Sequence, residues 1–179
     1  MRVMGLTGWS GSGKTTLLVE LVTQITGLGY TVSTIKHAHH VFDVDQPGKD
    51  SYRHRTAGAS EVLVASAMRW VLMRELAGEP EPDLDQLLSH MTPVDLVLVE
   101  GYKHHAHDKI EVHRPSLGQP LIASTDPSVI AIACDGPPAN AEALTAAILD
   151  LNDSAAITQF ILSACDLESH LSAPAETAD

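Results

Sequence analysis

Nine consecutive residues near the amino terminus combine glycines with a lysine and hydroxyl groups, a pattern suited to holding phosphate. They are Gly8, Trp9, Ser10, Gly11, Ser12, Gly13, Lys14, Thr15 and Thr16, of which the first eight match G-x-x-x-x-G-K-[ST], the Walker A pattern. Glycines let backbone N–H groups surround an anion without obstruction by Cβ atoms. Lys14 supplies a charge for the β- and γ-phosphates, and the Thr15 hydroxyl is a hard oxygen suited to Mg²⁺. This stretch predicts a nucleotide-binding phosphate loop.

A carboxylate at the end of a nearby strand is the usual second element of such a site, because it holds the metal directly or through water. Residues 95–101 form an apolar run that ends in Glu100 and a glycine. Glu100 is therefore the candidate for Mg²⁺, whereas Asp95 begins the same run and would lie at the wrong end. The alternative is that Glu100 lies in a surface loop without a role.

The polar segment that follows the predicted strand 31–35 carries further chemistry. It falls outside the carboxyl end of a parallel strand, where ligands bind in open α/β sheets. Asp43 and Asp45 are candidates to reach the metal or its waters, and Lys49 and Arg53 to neutralise phosphate charge. This segment is also a candidate for contact with a partner or cofactor.

Two groups of histidines follow predicted strands: His37, His39 and His40, and then, after Lys103, His104, His105 and His107. Histidine groups at one edge of a sheet suggest a transition-metal site. Their spacing is loose and no cysteine joins them. The alternative is a pocket edge that becomes cationic on protonation and receives an anionic partner, for which His37, His39, His40 and Lys103 are the candidates.

The elements that must position these residues alternate between strand and helix. Short apolar runs predict strands at 3–7, 31–35, 62–66, 70–73, 94–99, 110–113 and 129–134. Helical spacing predicts helices over 17–28, 84–91, a segment capped by Asn140 and reaching Leu151, and one around residues 157–161. The predicted class is α/β, a three-layer P-loop fold with a mostly parallel sheet and some antiparallel strands. We expect one domain over residues 1–165 and a flexible acidic tail over 166–179.

Composition excludes several functional classes. A net charge of −12 argues against a surface for nucleic acid, which would need a basic stripe. No apolar run approaches the roughly 18 residues that span a bilayer, so no membrane association is expected. Two widely separated cysteines are typical of a reduced compartment, and the expected location is the cytoplasm.

Several separated motifs resemble the MobB family, the adapter proteins of molybdopterin-guanine dinucleotide biosynthesis. Besides the phosphate loop, the resemblance rests on the runs at residues 35–40, 43–51, 55–59, 64–66, 69–70, 98–103 and 150–153. It implies a homodimer that binds GTP and Mg²⁺ and has weak GTPase activity at most. It further implies assistance to the molybdenum cofactor guanylyltransferase, contact with the molybdenum-insertion protein, and a possible direct contact with molybdopterin.

The resemblance also implies site residues. Gly11, Gly13, Lys14, Thr15 and Thr16 would hold the phosphates, and Asp43, Asp45 and Glu100 would surround Mg²⁺. The chain contains no Asn-Lys-x-Asp motif, so the usual means of reading guanine is missing and the choice of GTP over ATP rests on the family. Two alternatives remain open on the same scaffold: a small-molecule kinase that uses Lys49 and Arg53 to hold an acceptor, and a metal-delivering GTPase that uses the histidines.

Overall fold

The computed structural model describes residues 1–38, 42–103, 105–138 and 144–167. The chain divides into two compact units, the first comprising Met1–His37 and Thr92–Asp179 and the second Ala38–Met91. Whether residues 1–165 act as one domain stays a prediction. Residues 168–179, most of the predicted tail, lie outside the described part of the chain. No helix in that part is long and apolar enough to cross a membrane.

A six-stranded parallel sheet forms the centre of the first unit. In chain order its strands are β1 (Arg2–Thr7), β2 (Val32–Lys36), β5 (Leu96–Glu100), β6 (Lys109–His113), β7 (Val129–Cys134) and β8 (Ala147–Asp150). Their order across the sheet is β2-β5-β1-β6-β7-β8, and every neighbouring pair is parallel. The carboxyl ends of all six strands therefore lie at one edge, where a ligand site is expected.

Two helices cover one face of this sheet: α1 (Lys14–Gly27) and α4 (Ser154–Ala164). Leu21 of α1 and Ile157 of α4 are fully buried in the same cluster as Met4 of β1. Gln24 of α1 also bonds to α4, since its amide donates to Ser154 Oγ at 2.7 Å. This packing holds α1 on the sheet, and the first three residues of the helix, 14–16, are the last three of the phosphate loop.

The second unit contains α2 (Asp50–Thr56), the antiparallel pair β3 (Glu61–Ala65) and β4 (Trp70–Arg74), and α3 (Leu84–Ser89). A capping box starts α3: Asp83 accepts from the backbone N–H of Gln86, whose side chain accepts from the backbone N–H of Asp83. The predicted class is thus confirmed, with a mostly parallel sheet and one antiparallel pair.

One predicted helix is wrong. The spacing of Leu144, Ala147, Ile148 and Leu151 fits a helix, but residues 147–150 form β8, which pairs with β7. A short apolar run satisfies both periods, and here pairing with a buried neighbouring strand decides the outcome. Asn140, the predicted cap, lies outside the described residues. Helix α2 was not predicted, because none of its residues is buried and it has no apolar face to reveal it.

Candidate nucleotide-binding site

The phosphate loop (residues 8–16) connects β1 to α1 through backbone conformations that favour glycine. The angle φ is 144° at Gly8, 79° at Gly11 and 100° at Gly13. A Cβ at Gly8 would also lie 2.4 Å from the carbonyl oxygen of Val112. Gly13 is the N-cap of α1, so the loop ends at the positive end of that helix. These features fit an anion-binding loop.

The Lys14 side chain folds back over the first residues of the loop. Its Nζ donates to the carbonyl oxygens of Gly8 and Trp9, both at 2.9 Å. The side chain of Ser12 is buried within the same loop, and its Oγ has no hydrogen-bond partner among the described residues. The loop therefore holds its ammonium group in place and leaves one buried hydroxyl unpaired.

Glu100 and Thr15 meet at the carboxyl end of β5. The Thr15 hydroxyl donates to the Glu100 carboxylate, with Oγ1 at 3.1 Å from Oε1 and 3.3 Å from Oε2. Lys36, which ends the adjacent strand β2, places its Nζ 3.4 Å from Oε1. A hydroxyl and a carboxylate that converge in this way are the hard oxygen ligands that Mg²⁺ prefers, so this pair fits the predicted metal.

Positive charge is concentrated around the loop although the chain is acidic. Lys103 lies over the Trp9 ring, with Nζ 4.9 Å from the ring centroid. Burial lowers the pKa of the Lys14 ammonium; Glu100 opposes this shift, and the charges of Lys103 and Lys36 reinforce it. Ammonium groups that depress the pKa of another ammonium repel one another, and an anion between them would relieve that repulsion.

An arginine that sequence reasoning did not single out as a site residue supports the loop from the other side. Arg114 follows β6, and its Nε donates to the carbonyl oxygen of Ser12 at 3.0 Å. Its guanidinium also pairs with Asp135, which follows β7. Arg114 lies 102 residues from Ser12 in the chain, so no local sequence pattern predicts this contact.

His37 and the residues after β5 pack together beside this site. The rings of His37 and Tyr102 lie 4.9 Å apart, and those of Tyr102 and His105 lie 5.2 Å apart. Gly101 permits the approach, because φ there is 105° and a Cβ would lie 2.6 Å from that of His37. Both histidines thus contact the Tyr102 ring.

His107 behaves differently from its neighbours. Burial lowers its pKa to about 4, and neither ring nitrogen has a hydrogen-bond partner among the described residues. Within that part of the chain, no three histidine, cysteine, aspartate or glutamate side chains are grouped to hold a metal. The remaining histidines of the predicted clusters, His39, His40 and His104, lie outside the described residues, and the transition-metal hypothesis stays untested.

Asp43 and Asp45 belong to the second unit, where Arg55 pairs with both. Arg55 contacts the Asp43 carboxylate at 2.6 Å and the Asp45 carboxylate at 3.7 Å. The backbone N–H of Asp45 and the guanidinium of Arg55 lower the pKa of Asp43. Asp45 also accepts from the Ser51 hydroxyl at 2.8 Å. Both carboxylates therefore have partners within their own unit, and their predicted contact with Mg²⁺ stays a prediction.

Lys49 and Arg53 lie in the same unit, at and within α2. Lys49 is the N-cap residue of that helix, and Arg53 pairs with Asp50 at 3.7 Å, with both side chains largely exposed. Their proposed roles toward phosphate, an acceptor or a partner remain predictions.

The sequence matches a known family over most of its length. The profile of MobB, molybdopterin guanine dinucleotide synthesis protein B, matches residues 3–135. The chain belongs to the MobB family. It is 44% identical over 163 residues to the molybdopterin-guanine dinucleotide biosynthesis adapter protein of Escherichia coli K12, covering 89% of this chain and 91% of that protein. The adapter protein of Haemophilus influenzae is 41% identical, with 89% and 86% covered.

Solved MobB structures share the fold. A MobB homologue from Bacillus stearothermophilus superimposes with a TM-score of 0.67 at 25% identity, covering 93% of this chain and 99% of that one. A second structure, of molybdopterin-guanine biosynthesis protein B, gives a TM-score of 0.71 at 24% identity, with 92% and 99% covered. The resemblance drawn from the separated motifs is thus confirmed, and the family's fold is that of a nucleotide-binding P-loop protein.

Proposed function

We propose that this chain is a GTP-binding adapter in molybdopterin-guanine dinucleotide biosynthesis. The observation that carries the proposal is the phosphate loop: glycines in left-handed backbone, Lys14 folded over them, and Thr15 hydrogen-bonded to Glu100. Such a site holds the β- and γ-phosphates and Mg²⁺. The relatives are named as adapters of this pathway, which supplies the biological role.

In this role the nucleotide stabilises a conformation that partners recognise, and hydrolysis is slow. The partners are the molybdenum cofactor guanylyltransferase and the molybdenum-insertion protein, with molybdopterin as a possible direct ligand. The location is the cytoplasm. GTP turnover of many per second by the purified chain without partners would contradict the adapter role, because it would place the function in the hydrolysis itself.

Removal of the Lys14 ammonium tests the nucleotide site. We expect Lys14→Ala to abolish GTP binding in isothermal titration calorimetry while the circular dichroism spectrum stays unchanged. Arg2→Ala is the matched control, since Arg2 begins β1 at the opposite edge of the sheet and pairs with the exposed Asp166. Unchanged GTP affinity in Lys14→Ala would refute the proposal.

The exposed apolar face of the β3–β4 hairpin is the observation that favours a homodimer. Leu63, Leu72 and Trp70 share one face of this two-stranded sheet by its register, and they are 60%, 47% and 66% exposed. A two-stranded sheet is marginally stable alone, and apolar patches of this kind mark interfaces. A second copy of the chain is the proposed partner for this face.

The oligomeric state tests that assignment. We expect Trp70→Asp to convert a dimer to a monomer in size-exclusion chromatography with light scattering. Val19→Asp is the control, because Val19 is also exposed, at 58%, but lies on α1 of the first unit. A Trp70→Asp protein that remains dimeric would exclude this face as the interface.

A further inference from the structure

The orientation of a bound nucleotide follows from the side on which the metal ligands lie. Thr15 and Glu100 meet at the end of β5, which borders β1 on one side, whereas β6 borders it on the other. The threonine of a phosphate loop and its acidic partner hold the metal that bridges the β- and γ-phosphates. The terminal phosphates of a bound nucleotide would therefore lie toward β5, and its nucleoside would extend past β6 toward β7 and β8.

The Arg114–Asp135 pair lies on this nucleoside side, where the chain supplies a means of recognition. Arg114 follows β6, and Asp135 follows β7, the next strand outward. A Cβ on Gly13, the N-cap of α1, would lie 3.5 Å from a terminal nitrogen of Arg114, so the guanidinium lies against the start of that helix. The side chains of Arg114 and Asp135 are 36% and 25% exposed and hence accessible.

Other carboxylates near these strand ends have backbone donors of their own. Asp150, which ends β8, accepts from the backbone N–H of Asn152 at 2.8 Å and from its side-chain amide at 3.1 Å. Asp153 caps α4 by accepting from the backbone N–H of Ala156 at 2.9 Å. By contrast, Asp135 bonds through Oδ2 to Arg114, and its Oδ1 has no hydrogen-bond donor among the described residues.

The chemistry of guanine matches a carboxylate held in this way. Guanine presents two adjacent donors, N1–H and the 2-amino group, and a carboxylate is an acceptor for both. Adenine presents an acceptor at N1 and no donor beside it, so a carboxylate there is left without a partner. A site built to pair with a substrate donor rejects the analogue that lacks it, because its own polar group then stays unpaired.

We propose that Asp135 selects guanine by accepting hydrogen bonds from N1–H and the 2-amino group, with Arg114 holding the carboxylate against the phosphate loop. This assignment rests on the proposed function, since it needs a nucleotide on the loop. It supplies the specificity that the missing Asn-Lys-x-Asp motif leaves unexplained. The Asp135 carboxylate would accept from the same two guanine donors as the aspartate of that motif does.

Exchange of the carboxylate for an amide gives a sharp test. Xanthine carries a carbonyl where guanine has its 2-amino group. The amide of asparagine can therefore accept from N1–H of xanthine and donate to this carbonyl, whereas with guanine its NH₂ group would face the 2-amino group, and both are donors. We expect Asp135→Asn to weaken GTP binding roughly 100-fold or more, because two charge-assisted bonds are lost, and to bind xanthosine triphosphate more tightly than the wild type does. Asp150→Asn is the matched control and should leave both affinities unchanged.

Two further measurements separate this inference from the proposed function. Inorganic triphosphate should bind the wild type and Asp135→Asn equally; a wild type that binds neither triphosphate nor GTP would refute the nucleotide site itself. If triphosphate binds but Asp135→Asn keeps wild-type GTP affinity, only the role of Asp135 is overturned. Inosine triphosphate, which lacks the 2-amino group, should bind the wild type about 10- to 150-fold more weakly than GTP. Equal affinity would overturn the inference even if the variant does not fold.

Discussion

Replacement of Glu100 by glutamine isolates the contribution of one negative charge to nucleotide binding. The Glu100 side chain is 13% exposed and accepts from Thr15 at 3.1 Å while Lys36 lies 3.4 Å away. Glutamine keeps the length and shape of this side chain and can still accept from Thr15. The substitution therefore removes the carboxylate charge with little change in packing. Any change in GTP affinity then measures the contribution of that charge.

The size and sign of the effect depend on the metal. A hydrogen bond or close contact to a charged group contributes about 1.5–3 kcal/mol, which corresponds to roughly 10- to 150-fold in affinity. We expect Glu100→Gln to weaken GTP binding by about this factor when Mg²⁺ is present. Without Mg²⁺ the carboxylate repels the phosphates, so its removal should leave GTP affinity unchanged or raise it slightly.

Isothermal titration of GTP into wild type and variant, once with excess Mg²⁺ and once with a chelator, measures both effects. Glu20→Gln is the matched control, because Glu20 lies exposed on α1. An equal loss of affinity with and without Mg²⁺ would show that the carboxylate does not act through the metal. The assignment of Thr15 and Glu100 as metal ligands would then be wrong.

Two other predictions concern stability. Ile157→Ala removes a fully buried side chain of α4 and should cost about 2–5 kcal/mol, a fall in melting temperature of about 5–15 °C by thermal unfolding; a change below 1 °C would contradict the packing of α4 on the sheet. Because burial lowers the pKa of His107 to about 4, the unfolded chain takes up this proton first, near pH 6.5. The stability that a neutral His107 provides is complete above pH 6.5 and is lost as pH falls toward 4. His107→Gln should flatten this part of the pH profile, whereas the exposed His90→Gln should not; identical slopes in both variants would refute the burial of His107.

Local sequence patterns predicted the parts of the structure that one continuous stretch of the chain forms. The phosphate loop, the strand before it and α1 occupy one continuous stretch, so spacing alone revealed them. The end of β5 was equally readable, because an apolar run that ends in Glu100 and Gly101 shows where the strand stops. The predicted elements are therefore confirmed where an element and the motif that marks its end are adjacent in the chain.

Contacts between distant residues lay beyond the same reasoning. Arg114 reaches Ser12 across 102 residues, and only the sheet order shows that β6 borders β1. Arg55 donates to the carboxylate of Asp43, 12 residues earlier in the chain, and no sequence pattern predicts this contact. Strand β8 has helical spacing, and its neighbour β7 decides its conformation. In each case the deciding partner is set by topology rather than by local pattern.

The ammonium group of Lys14 has a consequence for the kinetics of ligand capture. Because it is tethered to the carbonyl oxygens of Gly8 and Trp9, the loop is already shaped before any triphosphate arrives. A preorganised receptor loses little conformational entropy on association, and no slow folding step precedes the encounter. The association rate constant of the nucleotide should therefore approach that of charge-steered diffusion and fall as salt is added. Differences in affinity among nucleotides should then lie mainly in their dissociation rate constants.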